Sequence, residues 1–418
     1  MDRGGEEKSL SYRVSKHVQK DQNTTNWTAL DSRRDTELLL QIAPAFSDLR
    51  VFSFTASQRH AHDRRLMSRP PSPRSHTHTL LAVCVSSVAL ILSSAVCLAD
   101  DCPPDHKATT DLPEETPDYI YQPPPPNDFN ILHRYRFVPP PPFAPPYPTV
   151  LMLPPDVFNL EYGDRGVPSE QWATYDLQHA GFLVFQVDHR LAPPNTLPGQ
   201  ATDGCAPFQT DDLKHQILAA LADEQCNGSI YLVGGSAGGT LVLWCALDPA
   251  AGDVSLWNES KRAHIKAVVS LSGPADFCDL DSNPGDIPPE ALAKFKNNID
   301  NYVRLPDGTD CSGDPNGNLM HASPKWLVTN GATSSPPPMM LYATDGDIVP
   351  NSQATDMLRA MKDQFGLSFP VDAYIMHYDY TDTQHRHAYT YWHSLNNADN
   401  SDGRCVSQQV IDFLVAHP

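Results

Sequence analysis

Ser229-Ile230-Tyr231-Leu232-Val233-Gly234-Gly235-Ser236-Ala237-Gly238-Gly239-Thr240 is the stretch around which the 418-residue chain is organised. An apolar run ends in G-G-S-A-G-G, and a helical pattern follows at once with Leu241, Val242, Leu243, Trp244, Ala246 and Leu247. Strand, sharp turn and helix make up the context in which G-x-S-x-G forms a nucleophile elbow. A serine in such a turn is strained, and strand and helix close up only where its neighbours are small. Gly234 and Gly238 meet that need, and Gly235 and Gly239 add room. The turn would lift the Ser236 hydroxyl above the sheet edge. It would also aim the Ala237 N–H, at a helix N-terminus, toward a developing oxyanion. A glycine-rich turn with a solvated serine fits the same residues, so the flanking sequence has to decide.

On both sides the pattern is that of an α/β protein. Upstream, residues 149–153 and 182–187 read as buried strands, and 169–180 and 210–221 as helices. The second of these helices carries Asp211 and Asp212 in its first turn, where negative charge suits the helix dipole. Downstream, 264–272, 339–343 and 371–376 read as strands, with helices over 352–365 and 405–416. Strands alternating with helices imply a mostly parallel sheet covered on both faces. The expected catalytic domain covers residues 149–418. An insertion at about 274–325, with one helix over 289–303 in loop-like sequence, reads as a small lid.

A serine nucleophile needs a base, and the base needs a group to orient it. In this fold class they arrive in the order Ser, acid, His, each on a loop after a strand. The strand over 339–343 runs into Thr344-Asp345-Gly346-Asp347-Ile348-Val349-Pro350, which puts a carboxylate at the carboxyl edge of the sheet. Counting from the strand favours Asp347 over Asp345, and an Asp-Gly turn that only caps the next helix is the bland alternative. The last strand is followed by His377 and then Gln384-His385-Arg386-His387-Ala388-Tyr389. His385 and His387 both lie far enough along that loop. His377 is at the strand's end and His393 in the next helical turn. His387 is taken as the base.

These motifs resemble the α/β-hydrolase superfamily, close to carboxylesterases of the hormone-sensitive-lipase and feruloyl-esterase-like (BD-FAE-like) groups. Val187-Asp188-His189-Arg190-Leu191-Ala192-Pro193 is similar to their D-Y-R-L-A-P element, and G-G-S-A-G-G to their elbow. Ala322-Ser323-Pro324 is similar to the A-S-P that precedes their acid strand. The resemblance covers roughly residues 149–418. It implies an α/β-hydrolase fold and a Ser236–His387–Asp347 triad acting on small-molecule carboxylic esters, with no metal or organic cofactor. Those esterases follow the first strand with H-G-G-G or H-G-G, whose N–H groups complete the oxyanion hole. Here that place reads Leu153-Pro154-Pro155-Asp156-Val157-Phe158. Two prolines have no N–H to donate, so the donor beside Ala237 falls to Asp156 or Val157.

Charge and composition bound the rest. The formal charge of −20 argues against nucleic acid or an anionic membrane as partner. Residues 1–66 are polar and basic, and are expected to be a non-native or disordered extension ahead of a true start at Met67. Residues 67–99 have the layout of a secretory signal peptide: Arg69 and Arg74, an uncharged stretch over 80–99, then Cys97-Leu98-Ala99 before Asp100-Asp101. Retained, that stretch is also long enough to anchor the chain in a bilayer. If it is cleaved, the expected location is exported, with no stable membrane association. Residues 100–148 are rich in proline and read as an arm or linker, with an edge strand over 129–138.

Of nine cysteines, Cys84 and Cys97 lie in the hydrophobic segment, and Cys245 sits among apolar residues as a buried free thiol. The remaining six suit pairing in an exported chain. Cys102–Cys405, Cys205–Cys226 and Cys278–Cys311 are the pairs considered, although spacing alone does not determine connectivity. Two other functions fit parts of the sequence. A peptidase of the prolyl-oligopeptidase type uses the same triad, but residues 100–148 cannot build its gating propeller. A catalytically inactive hydrolase fold that binds through the proline arm would fit the altered oxyanion turn.

Overall fold

The structure, a computed structural model, describes residues 102, 119–121, 132–156, 158, 168–192, 205–248, 257–280, 287–306, 308–330, 335–378 and 386–418. The expected extension over 1–66 and the signal or anchor segment over 67–99 lie outside the described residues, as do Val157 and His385.

Eight strands form one sheet in the order β1-β2-β4-β3-β5-β6-β7-β8. They are β1 (Tyr119–Tyr121), β2 (Leu132–Phe137), β3 (Tyr147–Leu153), β4 (Leu183–Val187), β5 (Cys226–Gly235), β6 (Ile265–Leu271), β7 (Met339–Thr344) and β8 (Val371–Met376). From β4 to β8 every pairing is parallel, while β1 on β2 and β2 on β4 are antiparallel. The strand expected at the sheet edge is therefore not at the edge, because β1 covers its outer side. The short sequence of β1, Tyr-Ile-Tyr among prolines, gave no alternation from which to read it. The bidentate contact of Arg136 with Asp223, 3.1 and 3.3 Å, fastens β2 to the turn before β5.

Largely apolar runs make the central strands β3, β4, β6 and β7 because both faces are covered. Val150 and Met152 of β3 join one core, and Leu151 and Leu153 join the other. This is the period-two alternation of a strand. On the first face lie α1 (Pro168–His179) and α9 (Val406–Ala416), through Ala173, Leu177, Val406, Val410 and Leu414. On the second lie α2 (Phe208–Leu221), α3 (Ala237–Leu247) and α8 (Ser352–Phe365). The short α4 (Glu259–Arg262) is capped by Asn258, whose side chain accepts the Lys261 N–H. The insertion holds α5 (Pro289–Val303), as expected, and adds α6 (Asn318–Ala322), and α7 (Pro324–Asn330) begins at its end.

Cys102 pairs with Cys405 and Cys278 with Cys311. Among the described residues, Cys205, Cys226 and Cys245 form no disulfide. The Cys205–Cys226 pairing is thus corrected. The 14-residue helix α2 lies between the two thiols, a rise of about 21 Å, whereas a disulfide needs Cα atoms within about 7 Å. Among the described residues, no helix is long and apolar enough to cross a membrane.

Candidate active site

The carboxyl ends of β3, β5, β7 and β8 bring the candidate residues to one edge of the sheet. Ser236 lies between β5 and α3 with φ 51 and ψ −119. A non-glycine residue held there costs on the order of 1–3 kcal/mol and persists only where its surroundings force it. Here the Ser236 N–H donates to the Leu271 carbonyl at the end of β6 (2.8 Å), and the Ser236 carbonyl accepts the Thr240 N–H. Two glycines allow the turn to close. A side chain on Gly234 would overlap the Gly238 carbonyl, and one on Gly238 would stand 2.7 Å from the Pro154 carbonyl oxygen. The turn after β3 therefore packs directly on the start of α3, beside Ala237.

Asp347 follows β7 and is buried. Its Oδ1 accepts the Val349 N–H (3.1 Å) and lies 2.6 Å from His387 Nδ1. An ionised carboxylate can only accept, so this contact puts the ring proton on Nδ1 and leaves Nε2 with a lone pair. The backbone of His387 is held from three sides. Thr344 Oγ1 donates to the Arg386 carbonyl, the His387 N–H donates to Thr390 Oγ1, and the Ala388 N–H donates to Ser272 Oγ (2.7, 3.0 and 3.1 Å). Ala388 also abuts the residue before the serine, since a side chain on Gly235 would begin 3.0 Å from Ala388 Cβ. Ser236 Oγ and His387 Nε2 are both buried, and neither makes a hydrogen bond with the described residues.

Among the described residues, the competing acid Asp345 and histidines His377 and His393 have other partners. Asp345 Oδ2 lies 2.7 Å from His377 Nδ1, and that pair is 39% and 47% exposed. Asn351 Nδ2 donates to the other Asp345 oxygen. His393 Nε2 lies 2.7 Å from Asp176, which also accepts the Trp392 indole N–H. These contacts fasten α1 under the histidine loop. Of the oxyanion candidates, Ala237 is the first residue of α3 and Asp156 is buried in the turn after β3.

Two residues that the sequence did not single out shape this edge. Ser272, at φ 55, follows β6, donates its N–H to the Tyr342 carbonyl and lies with its Oγ 3.0 Å from the Tyr391 hydroxyl. Tyr389 donates its hydroxyl to the carbonyls of Leu153 and Val233 (3.1 and 3.2 Å). Its place two residues beyond His387 was the only available signal. Among the described residues, no group of three His, Cys, Asp or Glu side chains could hold a metal ion.

Residues 159–361 match the BD-FAE family model. No curated protein matches the chain. Among solved structures, the acetyl ester-xyloside bifunctional hydrolase of Caldicellulosiruptor lactoaceticus is 15% identical with a TM-score of 0.47, over 69% of this chain and 89% of that one. A thermophilic esterase of the Planctomycetes species Thermogutta terrifontis is 15% identical with a TM-score of 0.45, over 73% and 91%. Esterase B of Lactobacillus rhamnosis is 17% identical with a TM-score of 0.48, over 81% and 96%. The parallel sheet, the strained serine between β5 and α3 and the BD-FAE match identify an α/β-hydrolase fold resembling the BD-FAE-like carboxylesterases.

Proposed function

From an α/β-hydrolase fold with a BD-FAE match across its centre, we propose that the chain is a serine hydrolase of carboxylic esters. The observation that carries this reading is the 2.6 Å contact of His387 Nδ1 with buried Asp347, on a loop that touches Gly235 next to strained Ser236. In the mechanism, His387 Nε2 takes the Ser236 proton as Oγ attacks the acyl carbon. Asp347 stabilises the imidazolium and keeps its proton on Nδ1. The Ala237 N–H and an N–H of the 156–157 turn receive the oxyanion, each such donor being worth roughly 3–4 kcal/mol of barrier. His387 then protonates the leaving alcohol, and water attacks the acyl-enzyme by the reverse route. The catalytic domain over 149–418 is proposed to act outside the cell, a location that suits the Cys102–Cys405 and Cys278–Cys311 bridges.

The test is hydrolysis of p-nitrophenyl acetate by the full chain. Ser236→Ala is expected to fold and to lose turnover. Turnover unchanged in that variant would reject the reading.

A further inference from the structure

Among the positions at which the chain departs from the esterase motifs it resembles, two hold residues that are paired with each other. Asp156 stands in the turn where those motifs carry glycines, and His189 stands at the tyrosine of D-Y-R-L-A-P. Asp156 Oδ2 lies 3.0 Å from His189 Nε2, with the two side chains only 7% and 1% exposed. The other ring nitrogen, Nδ1, lies 2.9 Å from the Arg190 carbonyl oxygen. A carbonyl can only accept, so Nδ1 is protonated, and the carboxylate facing Nε2 favours a second proton there.

The pair holds a turn whose two ends are already fixed. On one side, Pro154 packs its carbonyl against Gly238 at the start of α3. On the other, Phe158 adopts φ 64, and its carbonyl accepts the Ala192 N–H (2.7 Å) and the Gln209 side-chain N–H (3.3 Å). The Phe158 ring stacks on Tyr302 at 4.3 Å. Between these ends, Asp156 Oδ1 accepts the Phe158 N–H (3.2 Å) while Oδ2 faces His189. One carboxylate therefore both caps the turn and ties it to the segment after β4.

We propose that the Asp156–His189 ion pair is a positioning element that holds the turn after β3 in the shape that presents the second oxyanion donor. In the resembled motif, glycines reach such a shape by lacking Cβ; here an ion pair imposes it. The inference rests on the ester-hydrolase reading. Two carboxylates act on the imidazole, Asp156 from the turn and Asp212 from α2, and Asp212 is itself paired with Arg190. Burial opposes the imidazolium, but Asp156, with the Arg190 carbonyl and Asp212, raises His189 to about 9. The turn is thus expected to loosen in alkali as that proton is lost.

The experiment measures kcat and KM for p-nitrophenyl acetate from pH 6 to 10.5, with melting curves, on the wild-type chain and four variants. These are Asp156→Ala, Asp156→Asn, His189→Ala and the double alanine variant. Folded Asp156→Ala is expected to lose about 10²-fold in kcat with KM little changed, as for a displaced catalytic group. His189→Ala should lose about as much, and the double variant no more than either single one. Asp156→Asn can still cap Phe158 and bond a neutral imidazole, so it should recover much of kcat. It should lack the fall in kcat that the wild type shows near pH 9. A folded Asp156→Ala with kcat within about twofold of wild type, a wild-type kcat flat from pH 8 to 10, or the same alkaline fall in Asp156→Asn would each overturn the inference. If the alanine variants do not fold, the wild-type and Asp156→Asn profiles decide. A wild type that does not hydrolyse the ester overturns the hydrolase reading and this inference with it, whereas an active wild type with unaffected variants overturns the inference alone.

Discussion

The Tyr389 hydroxyl donates to the Leu153 carbonyl at 3.1 Å, tying the loop that bears His387 to the strand that leads into the oxyanion turn. Because the same hydroxyl reaches Val233, one side chain ties together the His387 loop, the end of β3 and β5. Burial pushes its pKa well above the ordinary value, so it remains a donor throughout the working range. Tyr389→Phe leaves two buried carbonyls without that donor. The expected loss is about 1–3 kcal/mol of stability, together with lower kcat, read from urea melts and ester turnover.

Asp347→Asn and Asp345→Asn should separate sharply. The first removes the acceptor that fixes the Nδ1 proton of His387. Its kcat is expected to fall by about 10⁴-fold, as when a triad acid leaves the imidazole in the wrong tautomer. The second breaks only a half-exposed pair with His377, and such pairs contribute about 0–1 kcal/mol. Steady-state kinetics on both variants checks the assignment, and comparable losses would contradict it.

Much of this was legible in the sequence because the strands are buried on both faces. An apolar run such as Met339–Thr344 is too short for an amphipathic helix, and helix α8 fell at its predicted limits, Ser352–Phe365. The proposed order of serine, acid and histidine was read from those strands. What stayed hidden is what depends on pairs distant in sequence. Counting from the strand favours Asp347 over Asp345 in T-D-G-D-I-V-P, but only folding gives Asp345 to exposed His377 and Asp347 to half-buried His387. Asp156 and His189 are 33 positions apart, and each reads in isolation as a motif defect. The strand Tyr119–Tyr121 was missed because three residues among prolines show no period.

The elbow should not tolerate a methyl group. Gly234→Ala drives Cβ into the Gly238 carbonyl, and Gly238→Ala drives it toward the Pro154 oxygen. Backbone rather than a movable side chain is struck in both cases. Each variant is expected to lose about 1–3 kcal/mol or more and to lose turnover with it, as measured by melting and ester hydrolysis.

Thiol chemistry should sort the cysteines into three classes. Peptide mapping without reductant is expected to recover 102–405 and 278–311 as linked peptides. After unfolding, Cys205, Cys226 and Cys245 should alkylate. In the native protein at pH 8, Cys245 should resist iodoacetamide, because burial pushes its thiol up to about 12 and only the thiolate reacts. A native-state adduct on Cys245 would contradict its burial in α3 beside Lys214 of α2.

Stability should also carry the signature of His189. Its folded pKa of about 9 lies above the ordinary histidine value of 6.5. The stabilisation is therefore fully present below about pH 6.5 and is lost as pH rises through about 9. A shift of that size corresponds to something on the order of 3 kcal/mol. Denaturant melts from pH 6 to 10 should show this decline in the wild type and its absence in His189→Ala.

The most direct measurement is mass mapping of the native chain after treatment with a fluorophosphonate, which reacts only with an activated serine. A single adduct on the peptide carrying Ser236, lost in His387→Ala, is the predicted result. A folded protein that stays unlabelled, or that takes its label on another serine, would contradict the Ser236–His387–Asp347 account.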